Sequence, residues 1–70
     1  IIAITNKVRE CRFFANEMTQ QTLAEAVGVT RQTIMAIEKN KYNPSLEVAF
    51  KIAKLFNKSV EEVFAYFPDD

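Results

Sequence analysis

Apolar residues recur at helical spacing in two short segments between residues 19 and 40. In the first segment Leu23 and Val27 lie four positions apart, and in the second Ile34 and Ile37 lie three positions apart. Residues at these separations share one face of a helix. The pattern therefore predicts two short helices in succession, the first of which begins at Gln20.

The residues at the ends of these segments indicate where each helix starts and stops. Thr19 and Thr30 precede the two segments, and a threonine hydroxyl is well suited to cap a helix N-terminus. Gly28 follows the first segment and suits the left-handed position that ends a helix, which costs other residues more. Ala24 supplies a small residue where two crossing helices approach closely. These spacings predict a helix-turn-helix over about residues 20–39.

A further helix is predicted before this unit, after a cap at Thr5 or Asn6 and continuing to about Ala15. The inner face of this helix is formed by Val8, Cys11 and either Phe14 or Ala15. No histidine accompanies the cysteine, so we interpret Cys11 as a small buried hydrophobe rather than a nucleophile.

Two more helices are predicted after the helix-turn-helix. Asn40 suits the left-handed end of the preceding helix, and Ser45 caps a helix over about residues 46–56. This helix is so apolar that burial on more than one side is expected, as the centre of the core. Asn57 ends it, and Ser59 with Glu62 forms a capping box for a short fifth helix over about residues 60–64.

Both terminal segments are apolar and β-prone, over residues 1–4 and 64–67. We predict that they pair as short strands and place aromatic side chains at a two-fold interface. The interface residues expected on this basis are Ile2, Ile4, Phe64, Tyr66 and Phe67. The alternative is that these residues only close the core of the monomer.

The chain carries balanced charge, with nine Lys and Arg residues against nine Asp and Glu residues. A basic excess is usual in DNA-binding domains. Cations nevertheless outnumber carboxylates up to Asn43, and the reverse holds beyond it. The sequence has no histidine, one cysteine, no apolar run of membrane-spanning length and no signal-peptide pattern. These features predict a cytoplasmic domain without an internal disulfide.

Four stretches of the chain match the pattern of a known family. They are M-T-Q-Q-T-L-A, V-G-V-T-R-Q-T-I, A-I-E-K-N-K-Y-N-P-S-L and F-K-I-A-K-L-F. Over about residues 6–64 the sequence resembles the small Cro and lambda-repressor-like (XRE) helix-turn-helix regulators. The resemblance implies an all-α, five-helix DNA-binding bundle whose third helix enters the major groove. Asn16 and Glu17 depart from the pattern, because family members often have a glycine here and one residue fewer.

Arg31 and Gln32 begin the second helix of the motif, which is the end that enters the groove. Arginine can bind guanine O6 and N7 together, and glutamine can bind adenine N6 and N7 together. Thr33 is expected to contact a thymine methyl group or a phosphate, and Ala36 allows close approach of the helix. The competing interpretation is an ordinary solvated helix face.

Phosphate contacts are expected on both sides of this helix. The start of a helix offers free backbone N–H groups to a phosphate, which applies to Gln20 and to Ser45. Between the helices, Lys39, Lys41, Tyr42 and Asn43 are placed to contact the same DNA strand. The alternatives are ordinary surface lysines and packing of Tyr42 over Pro44.

The resemblance also implies an ion pair between Arg12 and Glu38 that ties the first helix to the end of the recognition helix. Arginine can bind a carboxylate through two parallel hydrogen bonds and so hold the helix at a fixed angle. The alternative is that Arg12 contacts phosphate instead.

The sequence thus predicts a sequence-specific regulator of double-stranded DNA, a repressor that binds a palindromic operator as a homodimer. The alternative is an antitoxin-like interaction module whose DNA binding serves a partner protein. An enzyme is disfavoured, since no histidine, Gly-rich loop or acidic cluster at catalytic or metal spacing is present. No cofactor, metal or small-molecule ligand is expected.

Overall fold

The computed structural model describes residues 4–67, which form five helices and one two-stranded sheet. The elements, in chain order, are β1 (Ile4–Asn6), α1 (Val8–Phe14), α2 (Gln20–Val27), α3 (Arg31–Glu38), α4 (Leu46–Leu55), α5 (Val60–Val63) and β2 (Phe64–Tyr66). The five-helix architecture with short strands near the chain ends confirms the predicted fold class. No helix within residues 4–67 is long and apolar enough to span a bilayer.

The helix-turn-helix is formed by α2 and α3, and local hydrogen bonds set its boundaries. The hydroxyl of Thr19 accepts the Thr22 N–H at 3.0 Å, and the hydroxyl of Thr30 accepts the Thr33 N–H at 3.2 Å. Gly28 ends α2 in the left-handed conformation, with φ at 79°. These hydrogen bonds and this φ value confirm the predicted caps and turn. Such features are predictable because they depend only on residues close together in the chain.

The core lies where α2, α3, α4, α5 and the start of α1 meet. Its largest fully buried side chains are Leu23, Ile34, Ile37, Ile52, Val8 and Val63. Ala24 is also fully buried, which is consistent with a close crossing of α2 and α3. Cys11 is buried as predicted, and burial raises the pKa of its thiol, so the neutral form dominates near pH 7.

The start and end of α1 differ from the prediction. Lys7 occupies the N-cap without a side-chain hydrogen bond, because Thr5 and Asn6 belong to β1 instead. Asn6 nevertheless assists the helix start from one residue earlier, as its Oδ1 accepts the Val8 N–H at 3.1 Å. Phe14 is 83% exposed and does not join the inner face of α1.

The expectation that α4 is buried on more than one side is wrong. Ala49, Ile52 and Ala53 are buried, whereas Leu46 and Phe50 are 72% and 52% exposed. The helix packs against α2 and α5 along one stripe. A chain of 70 residues has too few elements to cover the opposite side.

The strands β1 and β2 pair in antiparallel orientation, with Ile4 opposite Tyr66 and Asn6 opposite Phe64. One more hydrogen bond follows the strand pair, where the N–H of Lys7, between β1 and α1, donates to the carbonyl of Val63, the last residue of α5, at 2.8 Å. The first strand therefore includes residues 4–6, later in the chain than predicted. Ile2, which was expected to take part, lies outside the described residues.

The connection between α1 and α2 contains two consecutive left-handed residues. Asn16 and Glu17 have φ values of 61° and 56°. The turn is closed by the Met18 N–H, which donates to the Arg12 carbonyl at 2.9 Å. Asparagine tolerates this conformation better than glutamate does, so Glu17 carries the larger conformational cost.

Replacing Glu17 with glycine should therefore stabilise the protein. Glycine adopts a positive φ without a Cβ clash, and we expect Glu17→Gly to raise the free energy of unfolding by roughly 0.5–1 kcal/mol. Urea denaturation followed by circular dichroism measures this change. The matched control is Glu10→Gly in α1, which should lower stability by about 1 kcal/mol because the backbone there is helical. A loss of stability in Glu17→Gly would contradict the argument.

Candidate nucleic-acid interface

The start of α3 presents polar side chains away from the core. Arg31 and Gln32 are exposed, whereas Thr33 and Ala36 are half-buried. The Thr33 hydroxyl lies 3.0 Å from the Thr30 hydroxyl and contributes to the helix cap. The four predicted base contacts therefore divide into two long, exposed side chains and two short ones that allow close approach of a ligand.

The segment between α3 and α4 is exposed at most of its polar positions, with Asn40 half-buried. Its predicted phosphate contacts, all accessible to solvent, are Lys39, Lys41, Tyr42, Asn43 and Ser45. The Ser45 hydroxyl accepts the Val48 N–H at 3.2 Å, so it serves the helix cap. A phosphate near Ser45 would therefore meet the free backbone N–H groups at the start of α4.

Gln20 has a different environment from the one expected of a free phosphate contact. It is half-buried, and its Nε2 donates to Glu38 Oε1 at 3.0 Å. The side chain is thus engaged within the protein. The groups left available at the start of α2 are the backbone N–H groups that lack partners in the first turn of any helix.

Arg12 and Glu38 form a two-point ion pair between α1 and the end of α3. Arg12 Nε lies 2.6 Å from Glu38 Oε2, and Nη2 donates to Oε1 at 3.0 Å. The remaining guanidinium nitrogen donates to the Met18 carbonyl at 2.8 Å. The side chains are 15% and 7% exposed. Arg12 therefore uses all three nitrogens inside the protein, which leaves it little capacity to bind phosphate.

A shallow hollow of about 520 Å³ lies between α1, the start of α2 and the start of α3. Its lining includes Arg9, Arg12, Arg31 and, as its one carboxylate, Glu17. We call it the cationic hollow. Arg9 was not among the predicted phosphate contacts, although it lies one helical turn before Arg12. The spacing of Arg9 and Arg12 is visible in the sequence. The placement of Arg9 relative to Arg31 depends instead on how α1 packs against the helix-turn-helix.

Comparisons with known proteins show the family and support the fold. The helix-turn-helix family model matches residues 8–63. The chain belongs to this family, as an XRE-type helix-turn-helix protein. It is a transcriptional regulator with a helix-turn-helix DNA-binding fold and not an enzyme.

Three relatives illustrate the similarity. An uncharacterised HTH-type transcriptional regulator of Methanocaldococcus jannaschii is 52% identical over 65 residues, covering 93% of this chain and 97% of the relative. A cryptic phage CTXphi transcriptional repressor of Vibrio cholerae is 30% identical over 59 residues, covering 84% and 52%. The crystal structure of a restriction-modification controller protein from Aeromonas hydrophila has a TM-score of 0.69 at 31% identity, covering 79% and 82%.

The partly buried Arg12–Glu38 pair should show strong energetic coupling. Removing one partner leaves a desolvated charge, so Arg12→Met and Glu38→Met should each cost roughly 3 kcal/mol, and the double variant should cost less than the sum. Urea unfolding of the four proteins in the cycle measures the coupling energy.

The matched control is the exposed Glu47–Lys51 pair on α4, at 3.0 Å. The same cycle there should give a coupling of about 0.5 kcal/mol or less, because solvent screens the charges. Purely additive losses for Arg12 and Glu38 would contradict a structural role for the pair.

Proposed function

We propose that this protein is a repressor that binds a palindromic operator in double-stranded DNA as a homodimer and reads its sequence with α3. The observation that carries the proposal is the asymmetry of α3. Its last residue, Glu38, is held by Arg12 and Gln20, while Arg31 and Gln32 at its start are exposed. A helix fixed at one end and exposed at the other is suited to enter a groove.

Base readout is assigned to the first turns of α3. Arg31 would donate to guanine O6 and N7, and Gln32 would donate to adenine N7 while its Oε1 accepts from the N6 amino group. Thr33 and Ala36 would allow the helix to lie close to the bases. Ala36 in particular places no long side chain between the helix axis and the groove floor.

We assign contacts with the DNA phosphates to two regions, one on each side of α3. One comprises Lys39, Lys41, Tyr42, Asn43 and the start of α4 at Ser45. The other comprises the start of α2 at Gln20 and the cationic hollow, to which Arg9 contributes. Phosphate contacts of this kind position a protein on the duplex and carry no base information.

We assign the homodimer interface to the face formed by β1, β2 and Phe67. Tyr66 and Phe67 are 67% and 60% exposed, which is unusual for aromatic side chains without a partner. Phe64 is half-buried and packs against the core, and the half-buried Ile4 lies opposite Tyr66 in the sheet. A second copy would cover the exposed rings, and two recognition helices would supply the affinity that a chain of zero net charge lacks.

A hollow beside β2 supports this assignment. It has a volume of about 880 Å³ and lies between the ends of α1 and α4, α5 and β2. Its apolar lining includes Phe14, Leu55 and Phe67, which are 83%, 41% and 60% exposed. An apolar side chain from a second copy would find a complementary surface there.

Base readout predicts position-specific losses. Arg31→Ala should weaken specific binding by about 1–3 kcal/mol and relax the preference at one position of each half-site, and Gln32→Ala should act at a neighbouring position. Binding-site selection from random duplexes, repeated with each variant, reports both effects. If both variants lose the same affinity for every sequence, direct readout by these residues is wrong.

The phosphate assignment predicts a change in salt dependence. Lys41→Ala should weaken binding to all sequences alike and lower the slope of log K against log salt by about 1 per half-site. Lys54→Ala, which removes an exposed cation from α4, is the control and should leave the slope unchanged. An unaltered slope in Lys41→Ala would show that this lysine is only a solvated side chain.

The dimer assignment predicts a separable monomer. A buried carboxylate at an apolar interface is costly, so Phe67→Glu should yield a folded monomer that binds an isolated half-site weakly. Phe50→Glu on α4 is the control, since Phe50 is 52% exposed and does not line the hollow beside β2. Sedimentation at micromolar concentration, with and without operator, measures the result. An unmodified protein that sediments as a monomer in both conditions would refute the homodimer.

A further inference from the structure

Asn6 connects the terminal strands to the recognition helix. Its backbone ends β1 and lies opposite Phe64 of β2. Its side chain extends to the end of α3, where Nδ2 donates to the Ile37 carbonyl at 2.7 Å and to Asn40 Oδ1 at 3.1 Å. One residue is thus part of the sheet and hydrogen-bonded to α3 at the same time.

The acceptors of these bonds lie at the end of α3. The last carbonyls of a helix have no partners within the helix, so an external donor satisfies them and fixes the helix end. The Ile37 carbonyl accepts the Asn40 backbone N–H at 3.0 Å and the Asn6 amide as a second donor, and the next residue, Glu38, accepts Arg12. The two attachments come from different elements: Asn6 from β1 and Arg12 from α1.

Each attachment therefore restrains α3 relative to a different part of the protein. The ion pair of Arg12 fixes α3 relative to α1, whereas Asn6 fixes α3 relative to the strand pair. The other end of α3, with Arg31, is exposed. A rotation of about 10° at the held end would move Arg31 by about 2 Å, because α3 is eight residues, or about 12 Å, long.

We propose that Asn6 is a positioning residue that sets the orientation of α3 relative to the β1–β2 pair. Its consequence for DNA rests on the proposed function: if two copies meet through the β2 face, Asn6 determines the relative placement of the two recognition helices. Asn6 itself touches no DNA in this proposal. It acts on sequence recognition through Ile37 and Asn40.

The two functions of the Asn6 side chain can be separated by substitution. Its Oδ1 accepts the Val8 N–H and supports the start of α1, while its Nδ2 holds α3. Asn6→Asp keeps the size and the acceptor but removes the donor. Asn40→Gly removes one of the two acceptors and preserves the left-handed backbone, with φ at 59°. Ile52→Val, a small cavity in the core, is the control for a general loss of stability.

The first measurement needs no DNA. Amide hydrogen exchange in the free protein compares the last turn of α3, at Glu38 and Lys39, with α2. In Asn6→Asp the exchange in this turn should accelerate about tenfold relative to α2, with a smaller effect in Asn40→Gly. In Ile52→Val the ratio should be unchanged. An unchanged ratio in Asn6→Asp would overturn the proposal, whatever the protein does to DNA.

The second measurement uses the operator obtained by site selection and a version with one base pair inserted at its centre. The insertion rotates one half-site by about 34° relative to the other. The unmodified protein should prefer the original spacing about tenfold or more, and Asn6→Asp should lose most of this preference, whereas Ile52→Val should keep it. Retained spacing preference in Asn6→Asp would overturn the assigned role in recognition.

The two measurements distinguish failure of this inference from failure of the proposed function. If the unmodified protein shows no spacing preference, the homodimer on a palindrome is wrong and the stated consequence for DNA is overturned with it. The exchange experiment still decides whether Asn6 fixes α3.

Discussion

The fixed end of α3 is the constraint on which the rest of the structure depends. Glu38 accepts hydrogen bonds from Arg12 and Gln20, and these residues come from α1 and α2. The Glu38 side chain is only 7% exposed, and a carboxylate this buried must be paired with a cation. The ion pair therefore holds α1 against the end of α3. The cationic hollow, lined by Arg9 and Arg31, lies between α1 and the starts of α2 and α3.

The balance of charge gives this geometry a functional consequence. With zero formal net charge, the chain has little general attraction for DNA, so affinity depends on where its cations lie. Arg9, Arg31, Lys39 and Lys41 are concentrated on the helix-turn-helix side, whereas Glu61 and Glu62 lie on α5. Such a surface favours one docking orientation. Two copies held together would then gain from specific contacts more than from nonspecific attraction, which fits a regulator better than a general DNA-coating protein.

The sequence predicted the features that local chemistry controls and missed those that packing controls. Thr19, Thr30 and Gly28 were assigned correctly because a cap or a left-handed turn needs only neighbouring residues. The exposure of Phe50 was missed, since periodicity identifies an apolar stripe but not how many elements remain to cover it. Asn6 was interpreted as a helix cap, and its contact with Ile37, 31 positions away, could not be read from spacing.

The same division between features set by local chemistry and features set by packing applies to the candidate nucleic-acid interface. The exposed start of α3 followed from the helix-turn-helix spacing, so Arg31 and Gln32 could be proposed from the sequence. The hydrogen bond between Gln20 and Glu38 could not be predicted from the sequence, because each of the two side chains had several other plausible partners. Arg9 was visible as a cation on α1, but only the tertiary packing places it in the lining of the same hollow as Arg31.

In the proposed complex, DNA contacts the side of the protein formed by the starts of α2, α3 and α4. The most direct test is an NMR titration of the isotopically labelled protein with a duplex obtained by site selection. The largest amide shifts should fall within residues 19–22, 30–36 and 39–46, and the second half of α4 should remain unchanged. Shifts centred on Phe50 and Leu55, with none at the start of α3, would contradict the account.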